Sequence, residues 1–195
     1  MKITLKNIKI AELVEGFTDQ AEQGVRGFGG KLNIRPAYQR EFIYKEKQRN
    51  EVINTVMRGF PLNTMYWAVS GEGYELMDGQ QRTISICQYV QGDYSVLIDG
   101  NPMAFGNLTP ERKKKILDYE LSIYVCDGDE GEKLDWFKTI NIAGEKLTDQ
   151  ELRNAIYAGP WLTDAKRWFS KTSGPAVQEG RDKLVNGSPI RQEVL

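Results

Sequence analysis

The stretch YELMDGQQRTISIC, Tyr74–Cys87, constrains the fold more than any other. A short apolar run ends on Asp78-Gly79, and apolar residues then recur at Ile84, Cys87 and Val90, the spacing of one helix face. The pattern predicts a strand over Tyr74–Met77 and a helix from Gln80 to about Gln91, joined through a tight Asp-Gly turn. Two chemistries fit such a joint. A helix start offers backbone N–H groups and the positive end of its dipole, which together attract an anion. Arg82 can then clamp phosphate oxygens, Gly79 lets the backbone come close, Asp78 can hold Mg²⁺ or orient water, and Gln80 and Gln81 bring amides. Alternatively, Asp78 simply caps the helix. Local physics leaves both readings open.

Around this joint the chain reads as mixed strand and helix. Lys2–Ile10 suggests a strand, and the Gly-rich Glu22–Leu32 suggests a flexible loop that lacks the Gly-Lys-Ser/Thr ending of a P-loop. A helix is expected from Lys45, with Val52, Ile53, Val56, Met57 and Phe60 on its core face and Gly59 and Pro61 as its stop. Thr64–Val69 pairs with the Tyr74 strand as a hairpin, and YSVLI and YELSIYVC read as further strands. Thr109-Pro110-Glu111 is a helix start. After DGDEGE, Asp127–Glu132, the pattern turns helical: Leu134, Phe137 and Ile140 mark one face with Gly144 as stop, Thr148–Glu151 matches a capping box, and WLTDAKRWFS follows. The expected class is α+β, with a core over residues 1–128 and a helical section over 129–195 packed on it as a single unit.

Composition removes several chemistries. The chain has no His, which excludes Ser-His and Cys-His catalysis and His metal ligation. Its only cysteines, Cys87 and Cys126, cannot assemble a thiolate zinc site and read as small buried hydrophobes. Lys plus Arg number 26 against 27 for Asp plus Glu, so the chain does not coat nucleic acid by bulk charge. No apolar run reaches membrane-spanning length, and the N-terminus lacks a secretion signal, so a cytoplasmic location is expected.

Other constellations have a structural reading beside a functional one. Tyr38, Gln39 and Arg40 place an aromatic, an amide and a guanidinium just before a helix, suited to a base and a phosphate or to DNA. Asn141 can cap a helix end and Glu151 can complete the capping box, while Arg153 and Asn154 are left for other work. Lys113, Lys114 and Lys115 form a basic run that reads as a solvated face or as a nucleic-acid contact.

Three motifs in this order, YQREFIY (Tyr38–Tyr44), LMDGQQRTISI (Leu76–Ile86) and FKTINIAGEKLTDQELRNAIYAG (Phe137–Gly159), resemble the N-terminal domain of the GmrSD-type modification-dependent restriction enzymes. The motif order is also similar to the ParB/sulfiredoxin-like fold, in which a strand leads into a helix that holds nucleotide phosphates. The resemblance implies a small mixed sheet with packed helices and a nucleoside triphosphate bound with Mg²⁺. It implies a nucleotide site of Tyr38, Gln39, Arg40, Gly79, Gln80, Arg82, Asn141 and Glu151, with Asp78, Gln81 and Arg82 catalytic and Asp78 at the metal. Tyr44 stands where the first motif commonly carries an aromatic such as Trp. Larger members append a His-dependent nuclease, which a chain without His cannot reproduce. An excised domain, a stand-alone regulator and one partner of a separate nuclease all fit.

The expected function is therefore a weak NTPase acting as the regulatory domain of a DNA restriction or anti-phage system, with DNA a partner, an oligomer possible and no membrane. The alternative is a DNA-binding module without nucleotide turnover, using Arg35, Arg40 and Lys113–Lys115. A third reading is an assembly domain that keeps the motif only as a strand–turn–helix joint.

Overall fold

Eight residues at the N-terminus, Lys2–Lys9, form the first strand, β1. In β1, polar Lys and Asn are interleaved with Ile3, Leu5 and Ile8, the mark of an extended chain on a sheet edge. The computed structural model describes residues 1–20, 24–36, 44–140, 153–154, 157, 159–169 and 175. Two compact units are distinguished: Met1–Ile34 with Tyr44–Gly128, and Arg35–Ile43 with Asp129–Leu195.

The first unit is built on a seven-stranded sheet of order β1-β9-β5-β6-β4-β3-β2. The further strands are β2 (Thr18–Gln20), β3 (Gly24–Gly27), β4 (Leu32–Asn33), β5 (Met65–Ser70), β6 (Gly73–Asp78) and β9 (Glu120–Asp127). Pairing is mixed. The β5–β9 and β4–β6 ladders are parallel, and β1–β9, β5–β6, β3–β4 and β2–β3 are antiparallel. A separate hairpin joins β7 (Ser95–Ile98) to β8 (Asn101–Ala104). The α+β class and its mixed sheet match the sequence expectation.

Hydrophobic pattern predicts five of the nine described strands, and the other four escape it for local reasons. The loop expected over Glu22–Leu32 is instead the β3–β4 hairpin from Gly24 onward. These strands are too short for period-two alternation to show. Their turn is tight, with positive φ at Phe28, Gly29 and Gly30 (55°, 64° and 79°). The strain at Phe28 is offset by its ring, which packs edge-on to Trp67 and Tyr74 with centroids 5.3 and 6.2 Å away. The strand β8 contains Pro102, which argues against a sheet interior but is tolerated in a two-stranded ribbon.

Helix α1 is Ile10–Val14 and α2 is Glu46–Arg58. Val52, Ile53 and Val56 of α2 are buried as their spacing requires. Phe60 is not on that face; it lies past the helix and is 56% exposed. The cause is Gly59, whose left-handed conformation (φ 72°) ends α2 with N–H bonds from Gly59 to Val56 O and from Phe60 to Thr55 O. Helix α3, Gln80–Gln91, buries eight of its residues, polar ones included. Its contacts with α1 and α2, and with Met65 of β5 through Thr83, make it the central helix of this unit rather than an amphipathic surface one. Helix α4, Pro110–Leu117, starts at Thr109, whose Oγ1 accepts the Arg112 N–H as expected.

Two phenols, the buried Tyr89 and the half-buried Tyr94, tie the stability of this unit to alkaline pH. Tyr89 donates to Met103 O and Tyr94 to Ser85 O. Burial pushes each pKa up to about 12 from 10.0. The unfolded chain releases these protons first, so the stability they contribute is full below pH 10 and is lost as pH rises through 12. Melting temperature followed across that window should fall, and Tyr94→Phe should make the fall shallower.

In the second unit, α5 (Glu130–Ile140) opens on a reciprocal capping box. The Asp129 N–H donates to Glu132 Oε2 and the Glu132 N–H donates to Asp129 Oδ1. Phe137 of α5 is buried, and Asn154 is 4% exposed. Helix α6 is Pro160–Phe169. The Gly144 stop and the Thr148–Glu151 box lie outside the described residues. No described helix is long and apolar enough to cross a membrane.

Candidate functional site

Strand β6 ends on Asp78 and α3 begins at Gln80, with Gly79 between them at φ 101°. That φ belongs to glycine, and so does the space: a Cβ here would stand 2.7 Å from Met65 Cγ. The glycine therefore turns the backbone and seats it on Met65 of β5. The first helical bond, from the Thr83 N–H to Gly79 O, is 2.9 Å. Asp78 is not the N-cap. Gly79 occupies that position, and no side chain caps it among the described residues.

The Asp78 carboxylate instead turns to Arg82, one helical turn on. Arg82 Nη2 donates to Asp78 Oδ2 at 3.0 Å and to Thr64 O at 3.3 Å, and Nη1 donates to Asn63 O. The ion pair is half-exposed, with Arg82 at 14% and Asp78 at 38%. Three acceptors in different directions fix the guanidinium in place. Among the described residues, Nε and the second Nη1 hydrogen of Arg82 and the Oδ1 of Asp78 take no further hydrogen bond.

Gln80 and Gln81 are buried, at 4% and 7% exposure. Gln81 Nε2 donates to Gln80 Oε1, and Gln81 Oε1 accepts the Tyr44 N–H at 3.1 Å. Gln81 thus ties the approach to α2 onto the joint. Tyr38, Gln39, Arg40, Asn141 and Glu151 lie outside the described residues.

Several participants carry no sequence signal. The Asn63 and Thr64 carbonyls and the Tyr44 N–H are backbone groups, and any residue supplies them. Tyr119 is equally silent in sequence. Its hydroxyl donates to Phe60 O at 2.8 Å and accepts the Leu62 N–H at 2.9 Å, holding the segment that Arg82 also grips. That segment and α2 form the sides of an open groove of about 450 Å³. Tyr44, Lys47, Glu51, Val52, Leu62 and Arg82 are among its lining residues. On the sheet, Tyr66 pairs with both Asp78 and Tyr124, and its ring stacks on Tyr124 at 5.5 Å. Burial, then the Tyr124 and Asp78 charges, pushes the Tyr66 phenol pKa up.

The basic run does not form one face. Lys113 donates to Gly106 O, Lys114 pairs with Asp118, and Lys115 lines a second cleft of about 400 Å³ with Arg58 and Arg112. Consecutive helix residues point about 100° apart, which scatters the three. Cys87 and Cys126 are free thiols and fully buried, as expected. Among the described residues, no three or more His, Cys, Asp or Glu side chains gather to hold a metal.

Residues 14–158 match the family described as the GmrSD restriction endonuclease, N-terminal domain. No curated protein matches the chain.

Proposed function

The chain belongs to the GmrSD restriction endonuclease N-terminal domain family, a component of restriction systems, and from that premise we propose that it binds a nucleoside triphosphate at the DGQQR joint. Weak hydrolysis there regulates a DNA restriction or anti-phage system. The observation that carries this reading is Arg82: a guanidinium fixed by three acceptors, with donors remaining, at a helix start and in the wall of a groove. A cation already fixed in place binds phosphate without first losing side-chain freedom.

The donor set fits Mg²⁺ held jointly with phosphates, since that ion takes one or two carboxylates and keeps several waters, and among the described residues Asp78 accepts from Arg82 through Oδ2 alone. Bound there, the ion would neutralise developing phosphoryl charge. Arg82 grips the phosphates, and Gln81 positions the joint against α2. Asp78 keeps its bond to Arg82 and orients the attacking water. Charge stabilisation is the main task in phosphoryl transfer, so the absence of His is no obstacle. Cleavage of DNA falls to a nuclease domain or subunit that works with this one.

Calorimetric titration with an NTP panel, with and without Mg²⁺, beside a phosphate-release assay tests the reading. Asp78→Ala should keep binding within about fivefold while turnover falls about 100-fold, the effect of removing one electrostatic contributor. Unchanged turnover in Asp78→Ala would remove the catalytic assignment, and no binding by the native protein would remove the reading itself. A DNA-binding module without turnover is the second reading, favoured by the Arg58–Arg112–Lys115 cleft. It predicts DNA affinity that falls steeply with salt and no phosphate release.

A further inference from the structure

We infer that the groove beside Arg82 takes the nucleoside portion of the triphosphate, so that base and ribose lie along α2 while the phosphates reach Arg82. The inference rests on the proposed nucleotide site and extends it to a surface outside the DGQQR motif. One stripe of α2 forms one side: Lys47, Gln48, Glu51, Val52 and Thr55 follow at helical spacing and all line the groove. From Lys47 to Thr55 the helix rises about 12 Å at 1.5 Å per residue, room for a nucleoside in extension. The volume of about 450 Å³ lies within the range of small-ligand sites.

The chemistry of the lining matches a nucleoside in kind. Tyr44 brings a phenol ring at one end, and Val52 and Leu62 bring apolar surface for a flat heterocycle. Among the described residues, Glu51 is the one carboxylate of the lining, an acceptor for ribose hydroxyl or base N–H donors. The groove is joined to the phosphate site at two points: Arg82 itself, and the Tyr44 N–H bonded to Gln81. Its wall is preformed, because Tyr119 holds Phe60 and Leu62 while Arg82 holds Asn63 and Thr64. A preformed wall lowers the ordering cost of binding.

The test compares an NTP with inorganic triphosphate, each with Mg²⁺, by calorimetry on the native protein, Leu62→Trp and Tyr44→Ala. Leu62 is half-buried, so the larger ring fills the groove without entering the core. The native protein is expected to prefer the NTP at least tenfold. Leu62→Trp is expected to lose that preference with triphosphate affinity unchanged, and Tyr44→Ala to lose several-fold on the NTP alone. Equal native affinity for the two ligands, or an undiminished preference in both variants, overturns the inference and leaves the phosphate site standing. Failure of the native protein to bind either ligand overturns both.

Discussion

Replacing Arg82 with alanine is expected to lower NTP affinity by at least about 100-fold, the equivalent of losing one or two charge-assisted hydrogen bonds at about 1.5–3 kcal/mol each. The guanidinium is the only cationic group within the DGQQR motif. Its deletion also leaves the half-exposed Asp78 carboxylate without its ion-pair partner, beside the proposed phosphate position. Repulsion then adds to the lost attraction. Arg82→Lys separates charge from geometry: an ammonium keeps the positive charge but cannot reach Asp78, Asn63 and Thr64 while also forking a phosphate. It should recover part of the affinity and little of the turnover. Because Arg82 also pins the segment before β5, melting curves of both variants belong beside the titrations. Native-like NTP binding by Arg82→Ala would end the assignment of the phosphates to this joint.

Gly79→Ala is the second large effect, and it should appear in stability. The backbone at φ 101° is a conformation that costs a Cβ-bearing residue about 1–3 kcal/mol. Its Cβ would also enter the space of Met65 Cγ and Sδ, an overpacking worth about 1–3 kcal/mol more, reduced as far as the methionine can swing away. A total of about 3 kcal/mol corresponds to a fall of roughly 6–12 °C in Tm for a chain of this length. Restoring space with Met65→Ala in the Gly79→Ala background tests the cause. The double variant should lose less than the sum of the two single ones, since the clash is shared. Additive losses would show that the φ angle alone requires glycine.

The two residues illustrate how far the motif was legible. Asp-Gly between an apolar run and a helical stripe places a strand–turn–helix joint with the helix bounds correct and the strand short by one residue at each end, because side-chain periodicity and turn chemistry are local properties. The same applies to α2, α3 and α4 and to the Thr109 cap, each of which rests on neighbours within a few residues. The orientation of the motif side chains was not local. Asp78 is as good a helix cap as it is a partner for Arg82, and the choice depends on where Asn63 and Thr64 present their carbonyls. Gly79 reads equally as room for a ligand or for the core. Met65, fourteen positions earlier, decides for the core.

By itself the sequence determined the class of the fold, the place of the joint and the chemistries that a chain without His must do without. Tertiary structure alone decided that Arg82 is held by three acceptors, that Gln80 and Gln81 are interior, and that a stripe of α2 lies beside the motif as a groove. The reason is the range of the forces involved. Periodicity, capping and turn preference act over three or four residues and are written into the order of the chain. Which backbone carbonyl meets a guanidinium, and which helix face borders it, depends on segments brought together by packing, and backbone groups carry no residue-specific mark.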